Sequence, residues 1–370
     1  MANLSPVDAV LSVGQRIGRY FALVSMIPAL LLVLWVYILV GSGSLAGAPT
    51  LRNAAVALSH WSISKAAGVV LASLAVALVL HPLQFATTQL LEGYWGTTPL
   101  ATVAMKIRVA YHRKRRRTLW EKAGASGIAW RDECLRFLRS NPGWQEDPET
   151  LEDSIDSIMK GAQGDSLMLH YIAEQEALDQ HANKYPSDAT RILPTELGNV
   201  LRCFEDAAGK QYGLNVLAIA PHLHLIAPPR HLEYLIDTRE DMDSAIRICT
   251  IGLVATALTA GFLLTNGLWL LCALVPYSVS YLAYKGAVSA AQGYGSVVAS
   301  VIDLDRFLLY NELGLSRPRD SEEELESNSK LMQILSGEHV SVRYRRENTT
   351  SGPSARAERR GRKPGANRLT

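Results

Sequence analysis

The chain is 370 residues long, 48% hydrophobic and 19% charged, with a formal net charge of +2 at pH 7. Charges are missing from 32 residues between Arg19 and Arg52, 26 between Lys65 and Glu92 and 37 between Arg247 and Lys285. A helix crosses a bilayer core with about 20 apolar residues, so a wholly soluble globular protein is excluded. Four cysteines without a C-x-x-C argue against a disulfide scaffold, a zinc knuckle and a thioredoxin-like site.

Residues 1–19 read as a cytoplasmic N-terminus and 20–41 as the first span, with Trp35 and Tyr37 toward its outer end, where amphipathic rings favour the headgroup region. Ala46-Gly47-Ala48 looks like a cleavage site, but the preceding apolar run exceeds the about 7–15 residues of a signal core. Residues 42–65 form an external loop. Within it Gly41-x-Gly43-x-x-Ala46 mimics a dinucleotide loop, yet it follows a membrane helix where that motif needs a strand. Residues 66–91 are the second span and its interfacial end, with His81-Pro82 near the end of the apolar run.

Residues 92–245 read as a cytoplasmic, mostly helical domain. It opens on a juxtamembrane helix over Thr98–Trp120 that carries Arg113, Lys114, Arg115, Arg116 and Arg117. Asp147-Pro148 and Gly161 punctuate one helix, Leu167–Ala182 is a second, and Pro194-Thr195 opens a third that fades at Gly209 and Gly213. Leu214–Ala220 is the one strand candidate. After Pro228-Pro229, a helix over His231–Ile248 leads into the third span, 246–264. Thr265-Asn266-Gly267 makes a tight hairpin to the fourth, 268–284.

Residues 285–336 read as cytoplasmic helices. Gly286–Ile302 carries no charge, but its Gly, Ser, Ala and Gln insert poorly, so it is read as helix continuing out of the membrane. Val298, Val301, Leu304, Leu308 and Leu309 form an amphipathic stripe, and Ser321-x-x-Glu324 is a capping box for a helix reaching Leu335. Residues 337–370 are a disordered basic tail: nine basic and two acidic residues fall between Arg343 and Arg368. Basic residues crowd next to one side of each span, which places both termini inside. The sequence therefore predicts an all-α integral membrane protein, multi-pass in the cell (inner) membrane. Four transmembrane helices stand in two pairs, with a mostly helical cytoplasmic insert.

Three patches are distinctive: Leu90-Leu91-Glu92-Gly93-Tyr94-Trp95; Leu193-Pro194-Thr195-Glu196-Leu197-Gly198-Asn199-Val200-Leu201-Arg202 with Glu205-Asp206 and Tyr212-Gly213-Leu214; and Tyr294-Gly295 with Asp303-Leu304-Asp305-Arg306-Phe307. Together they resemble a family of uncharacterised bacterial, mostly actinobacterial, multi-spanning membrane proteins, over roughly residues 70–335. The resemblance implies a membrane location and supplies no activity, cofactor or catalytic residue.

On a strand, His222 and His224 would share one face, and with His231, Glu233 and Asp237 nearby they are candidate metal ligands. No spacing here matches a mechanism-bearing motif, so a connector lining is the favoured reading and no cofactor is expected. Asp303-x-Asp305 invites a divalent cation, but on a helix residues two apart do not share a face. Glu196, Asn199, Arg202, Glu205 and Asp206 along one helix make either a recognition face or a buried network, against a solvated face with intrahelical pairs. The apolar runs hold no Asp, Glu, Lys or Arg, which speaks against ion-driven transport. Gly252, Thr256 and Ala260, with Ser73 and Ala77, suit close helix packing. Arg113–Arg117 and the basic tail are expected to contact anionic lipid head groups, nucleic acid being disfavoured without a matching fold pattern. The favoured function is a cytoplasmic module presented for a protein partner or self-association. An oligomeric channel or transporter of neutral solutes, and a membrane-bound enzyme at the inner surface, are the alternatives.

Overall fold

The structure, a computed structural model, describes residues 26–44, 47–59, 61–140, 153, 166–342 and 344. The expectations for 1–19, for the helix over 147–161 and for most of the basic tail fall outside them. Every regular element among the described residues is helical. In chain order these are α1 (Ile27–Gly41), α2 (Leu51–Ser59), α3 (Ile63–Glu92), α4 (Pro99–Ser140), α5 (Ser166–Ala182), α6 (Glu196–Ala207), α7 (Val216–Ile226), α8 (Pro229–Leu263), α9 (Leu274–Glu312) and α10 (Ser321–Leu335). Single 3-10 turns cover Ala189–Arg191 and Lys210–Tyr212, and a seven-residue 3-10 helix covers Gly267–Ala273.

Three helical stretches are long and apolar enough to cross a membrane: Ile63–Glu92, Pro229–Leu263 and Gly267–Glu312. The apolar α1 has 15 described residues, short of a span, and the start of the expected first span lies before residue 26. Leu71, Leu78, Val79 and Phe85 on α3, Leu253 and Leu258 on α8, and Leu274, Val279 and Leu282 on α9 stay exposed. Such a continuous apolar surface has no place in water and suits contact with lipid. Pro82 does not end α3, which runs on to Glu92.

Between these helices the contacts use small side chains and hydrogen bonds, as expected where lipid removes the hydrophobic drive for association. A Cβ on Gly252 would lie 2.8 Å from Ser280 Cβ, so α8 and α9 touch backbone to backbone there. Ser280 Oγ donates to Cys249 O at 2.8 Å across the same crossing. Trp35 Nε1 donates to Thr259 Oγ1 at 2.8 Å, and Leu32 packs with Ile251 and Ala255, tying α1 to α8. The buried face of α8 is Gly252, Ala255 and Thr259; Thr256 and Ala260 lie half-buried beside it.

Outside the apolar stretches, α6 and α7 pack on α9, and α10 closes over α7 and the Lys210–Tyr212 turn. Leu214–Ala220 is not a strand. Asn215 accepts from Leu217 N at 2.9 Å and caps α7, and seven apolar residues fit a buried helix as well as a strand. The cap of α10 is Asp320, one residue before the expected Ser321: it accepts from Glu323 N at 2.8 Å. Glu324 turns inward instead and pairs with Arg306 at 2.6 Å. On α9 the expected stripe is displaced: Leu304 is 67% exposed, while Asp305, 4% exposed, occupies the inward position.

The α8–α9 crossing is a sharp test of this packing. Gly252→Leu forces the two backbones apart, and overpacking of this kind costs about 1–3 kcal/mol. The purified protein should lose thermal stability, while Gly261→Leu, where a Cβ meets nothing, should not. Equal midpoints for the two variants would refute the crossing.

Candidate functional site

The site is assembled where α3 ends. Gly93, at φ 108°, adopts the left-handed conformation that closes a helix, and Tyr94 N reaches back to Gln89 O at 2.9 Å. The start of α6 is pressed onto this end. A Cβ on Gly198 would lie 1.9 Å from Glu92 O, so only glycine fits. Thr195 Oγ1 donates to Glu92 O at 2.7 Å and accepts from Gly198 N at 3.1 Å, joining the two helix ends through one hydroxyl. The other early N–H groups of α6, of Glu196 and Leu197, donate to Tyr284 Oη on α9 at 3.0 and 3.2 Å.

Asn199 is fully buried. Its Nδ2 donates to Leu193 O at 2.9 Å and Thr195 O at 2.6 Å, and its Oδ1 accepts from Leu193 N at 2.8 Å. Glu196 accepts from Lys285 at 2.5 Å, with Lys184 at 3.9 Å. Burial works against this carboxylate, but the bond and charge of Lys285, then Lys184 and Arg115, prevail and hold its pKa below the usual range. Glu196 and Asn199 therefore belong to a buried network, whereas Arg202, Glu205 and Asp206 do not. Arg202 donates to Tyr94 Oη at 2.8 Å and lies 3.6 Å from Glu205. Arg191 pairs with Glu205 at 3.2 Å and with Asp206.

Below Arg202 lies a cavity of about 410 Å³ between α6, α7, α8 and α9. Leu201, Phe204, Leu223, Leu235, Val298 and Ile302 give it an apolar interior, while Glu92, Tyr94, Arg202, Glu205, Arg239 and Tyr294 also line it. The three distinctive sequence patches meet here, through Glu92 and Tyr94, through Gly198 to Glu205, and through Tyr294-Gly295. Phe204 occupies the space that a side chain on Gly295 would take, its ring 2.1 Å from the Cβ position. The lining comes from segments more than 200 residues apart, so no local motif announces it.

The candidate metal ligands are not brought together. On helix α7, His222 and His224 point about 200° apart, which corrects the shared face expected of a strand. His222 Nδ1 faces Ala218 O at 3.1 Å and His224 lines the cavity. His231 accepts from Arg230 at Nε2, so its Nδ1 donates to Asp305 at 2.7 Å. Asp303 turns elsewhere, toward Gln211 at 3.3 Å. Among the described residues no three His, Cys, Asp or Glu side chains form a metal-holding group.

The basic run on α4 divides. Arg113 and Arg116 donate to the carbonyls of Ala189 and Ser187, at 3.2 and 2.5 Å, and Arg116 stacks on Trp120 at 3.8 Å. Arg115 is half-buried, while Lys114 and Arg117 are exposed, the latter paired with Glu121 at 2.7 Å. Beneath the run sits His112, 1% exposed and bonded through Nδ1 to Tyr185 Oη at 3.0 Å. Burial, then the charges of Arg108 and Arg115, lower its pKa to about 4. A lone histidine in a basic run carries no signal in the sequence. Its position on one helix face with Met105, Val109 and Arg116 is the sole hint.

Two outcomes follow from these bonds. Asn199→Ala removes three buried hydrogen bonds and orphans the Leu193 amide, which costs about 1–3 kcal/mol for each group left unsatisfied. The thermal midpoint should fall clearly, against little change for exposed Arg117→Ala. For His112 the folded pKa of about 4 lies below the ordinary histidine value of 6.5, so its contribution is complete above about pH 6.5 and is lost as pH falls toward 4. The midpoint should decline over that window in the native chain and decline less in His112→Gln. Parallel pH curves would show that His112 is not buried neutral.

Compared with protein-family models, with curated proteins and with solved structures, the chain matches none.

Proposed function

We propose that this chain is an integral protein of the bacterial cell membrane with four spans in two pairs and both termini inside. It presents the helical module and its cavity at the inner face for binding and signalling, and belongs with the multi-spanning family that its three patches resemble. One observation carries the reading: α8 and α9 run unbroken from their apolar stretches into the module, and both wall the cavity. Whatever fills the cavity therefore acts on the same helices that cross the bilayer.

Two further observations describe how the polar groups near the spans and the module are used. The space between α3 and α8 is about 20 Å³, close to a single water, and Arg247 bonds Gln84 within it. The polar groups of α6 are engaged in structural bonds, and His222 and His224 point apart on α7.

The first turns of α4 suit the membrane surface. Leu100, Val103, Ile107 and Tyr111 recur at helical spacing and are 82%, 56%, 64% and 49% exposed. Exposed Lys106, Arg113, Lys114 and Arg117 lie along the edge of this stripe or continue it. An apolar stripe edged by basic residues, seven residues after the end of α3, lies in the headgroup plane with its apolar face down. Each basic residue near an anionic leaflet adds about 1 kcal/mol.

Topology and surface contact are both measurable. With the native cysteines replaced, Ala48→Cys, exposed in the 42–65 loop, should react with an impermeant maleimide in intact cells, and exposed Asp188→Cys only after lysis. In nanodiscs, a fluorophore on Val103→Cys should be quenched by nitroxide lipids, more strongly when the lipid is anionic, and one on Arg131→Cys should not. Labelling of residue 188 from outside would sink the orientation; absence of quenching at 103 would sink the surface helix.

A further inference from the structure

Around the cavity the hydrogen bonds and ion pairs of the described residues leave one carboxylate without a direct partner. Glu205 pairs with Arg191 and Arg202, Asp206 with Arg191, and Asp243 lies 3.9 Å from Arg239. Three guanidiniums serve three carboxylates. The carboxylate of Glu92 is also in the wall, half-buried, and makes no hydrogen bond or ion pair within 4.0 Å among the described residues. Its backbone carbonyl does the structural work, accepting from Thr195. The side chain is thus held at the cavity without a direct bond: burial raises its pKa, and the charges of Arg239 and Arg202 oppose that from a distance.

An acceptor left over beside an apolar interior specifies its complement. A carboxylate withdrawn from water is stabilised by a cation that donates a hydrogen bond to it, and charge-assisted bonds of this kind are about twice as strong as neutral ones. An anionic head would meet both Glu92 and Glu205. Arg202 and Arg239 do not reverse this preference, because Tyr94 with Glu205, and Asp243, already engage them. The interior, against Phe204 and Ile302, has room for an apolar body of ring size and offers it no polar contact.

We infer that the cavity binds a compact apolar ligand carrying a single ammonium head, the head on Glu92 and the body against Phe204 and Ile302. This rests on the reading of the cavity as the binding site of the module. The two are separable by experiment.

The test uses the full chain in nanodiscs of zwitterionic lipid, titrated calorimetrically with 1-aminoadamantane, 1-adamantanol and adamantane-1-carboxylate, each corrected with empty nanodiscs. The amine should bind at least about tenfold more tightly than the carboxylate, the worth of one charge-assisted bond. Glu92→Gln should weaken the amine about tenfold and leave the alcohol unchanged. Ala220→Trp fills the cavity from the α7 side and should abolish binding of amine and alcohol. Leu217→Trp, at a cavity-lining position 60% exposed, serves if the first variant does not fold. A carboxylate that binds as tightly as the amine, or an amine indifferent to Glu92→Gln, overturns the ligand class. No saturable binding of any probe, or binding unaffected by the filling variants, overturns the cavity itself as the site.

Discussion

The end of α3 is capped by the beginning of α6. Helix ends leave backbone groups without intrahelical partners, and at a buried junction each must be answered. Here Thr195 answers a carbonyl of α3 and an amide of α6 with the same hydroxyl, and Tyr284 answers two more amides from α9. The contact is possible only because Gly198 has no side chain to meet Glu92 O. Leu197 and Val200 are fully buried beside it, and the cavity wall from Gly198 to Glu205 follows. Were α6 to lift by a single methyl group, the latch, the Asn199 network and the upper wall of the cavity would go together.

Lower in the module the same economy recurs in polar side chains, one pair of them charged. His231 with Asp305, Arg306 with Glu324, and Tyr310 with Asn328 each cross between elements. The Tyr310 hydroxyl, buried and facing Glu324, has its pKa pushed up to about 12, so it stays protonated as a donor. A buried ion pair is weak evidence of stability but leaves one docking arrangement satisfied and others not. In that sense α10 is positioned by Asn328, whose amide also reaches Tyr212 O at 2.8 Å, as much as by Leu331.

What the sequence made legible was whatever repeats or punctuates. The charge-free stretches mark the apolar helices, Pro194-Thr195 marks the start of α6, and Pro228-Pro229 marks that of α8. The failures have physical causes. Val216–Ile226 holds too few residues for its period to show, and its cap at Asn215 is one residue that also suits a turn. Asp305 sits where the amphipathic stripe calls for an apolar side chain, because its partner His231 lies 74 residues away. Of the α6 patch, burial of Glu196 and Asn199 against the half-buried place of Arg202 at the cavity depends on Lys285 and Tyr94, which no local window contains. The cavity is a property of five segments jointly and of none alone.

On α8 one stripe runs the whole length of the rod. Leu235, Arg239 and Met242 face the cavity, Ile246 and Cys249 are buried beyond them, and Gly252, Ala255 and Thr259 face neighbouring apolar helices. One residue added between Met242 and Gly252 would turn the two ends by about 100° relative to each other, aiming either the cavity wall or the packing face into the wrong medium. Seven residues would restore the angle to within about 20°. The distance from cavity to membrane is therefore quantised: this segment keeps its two faces aligned only for changes near whole numbers of turns, such as about seven or eleven residues, about 10 or 16 Å.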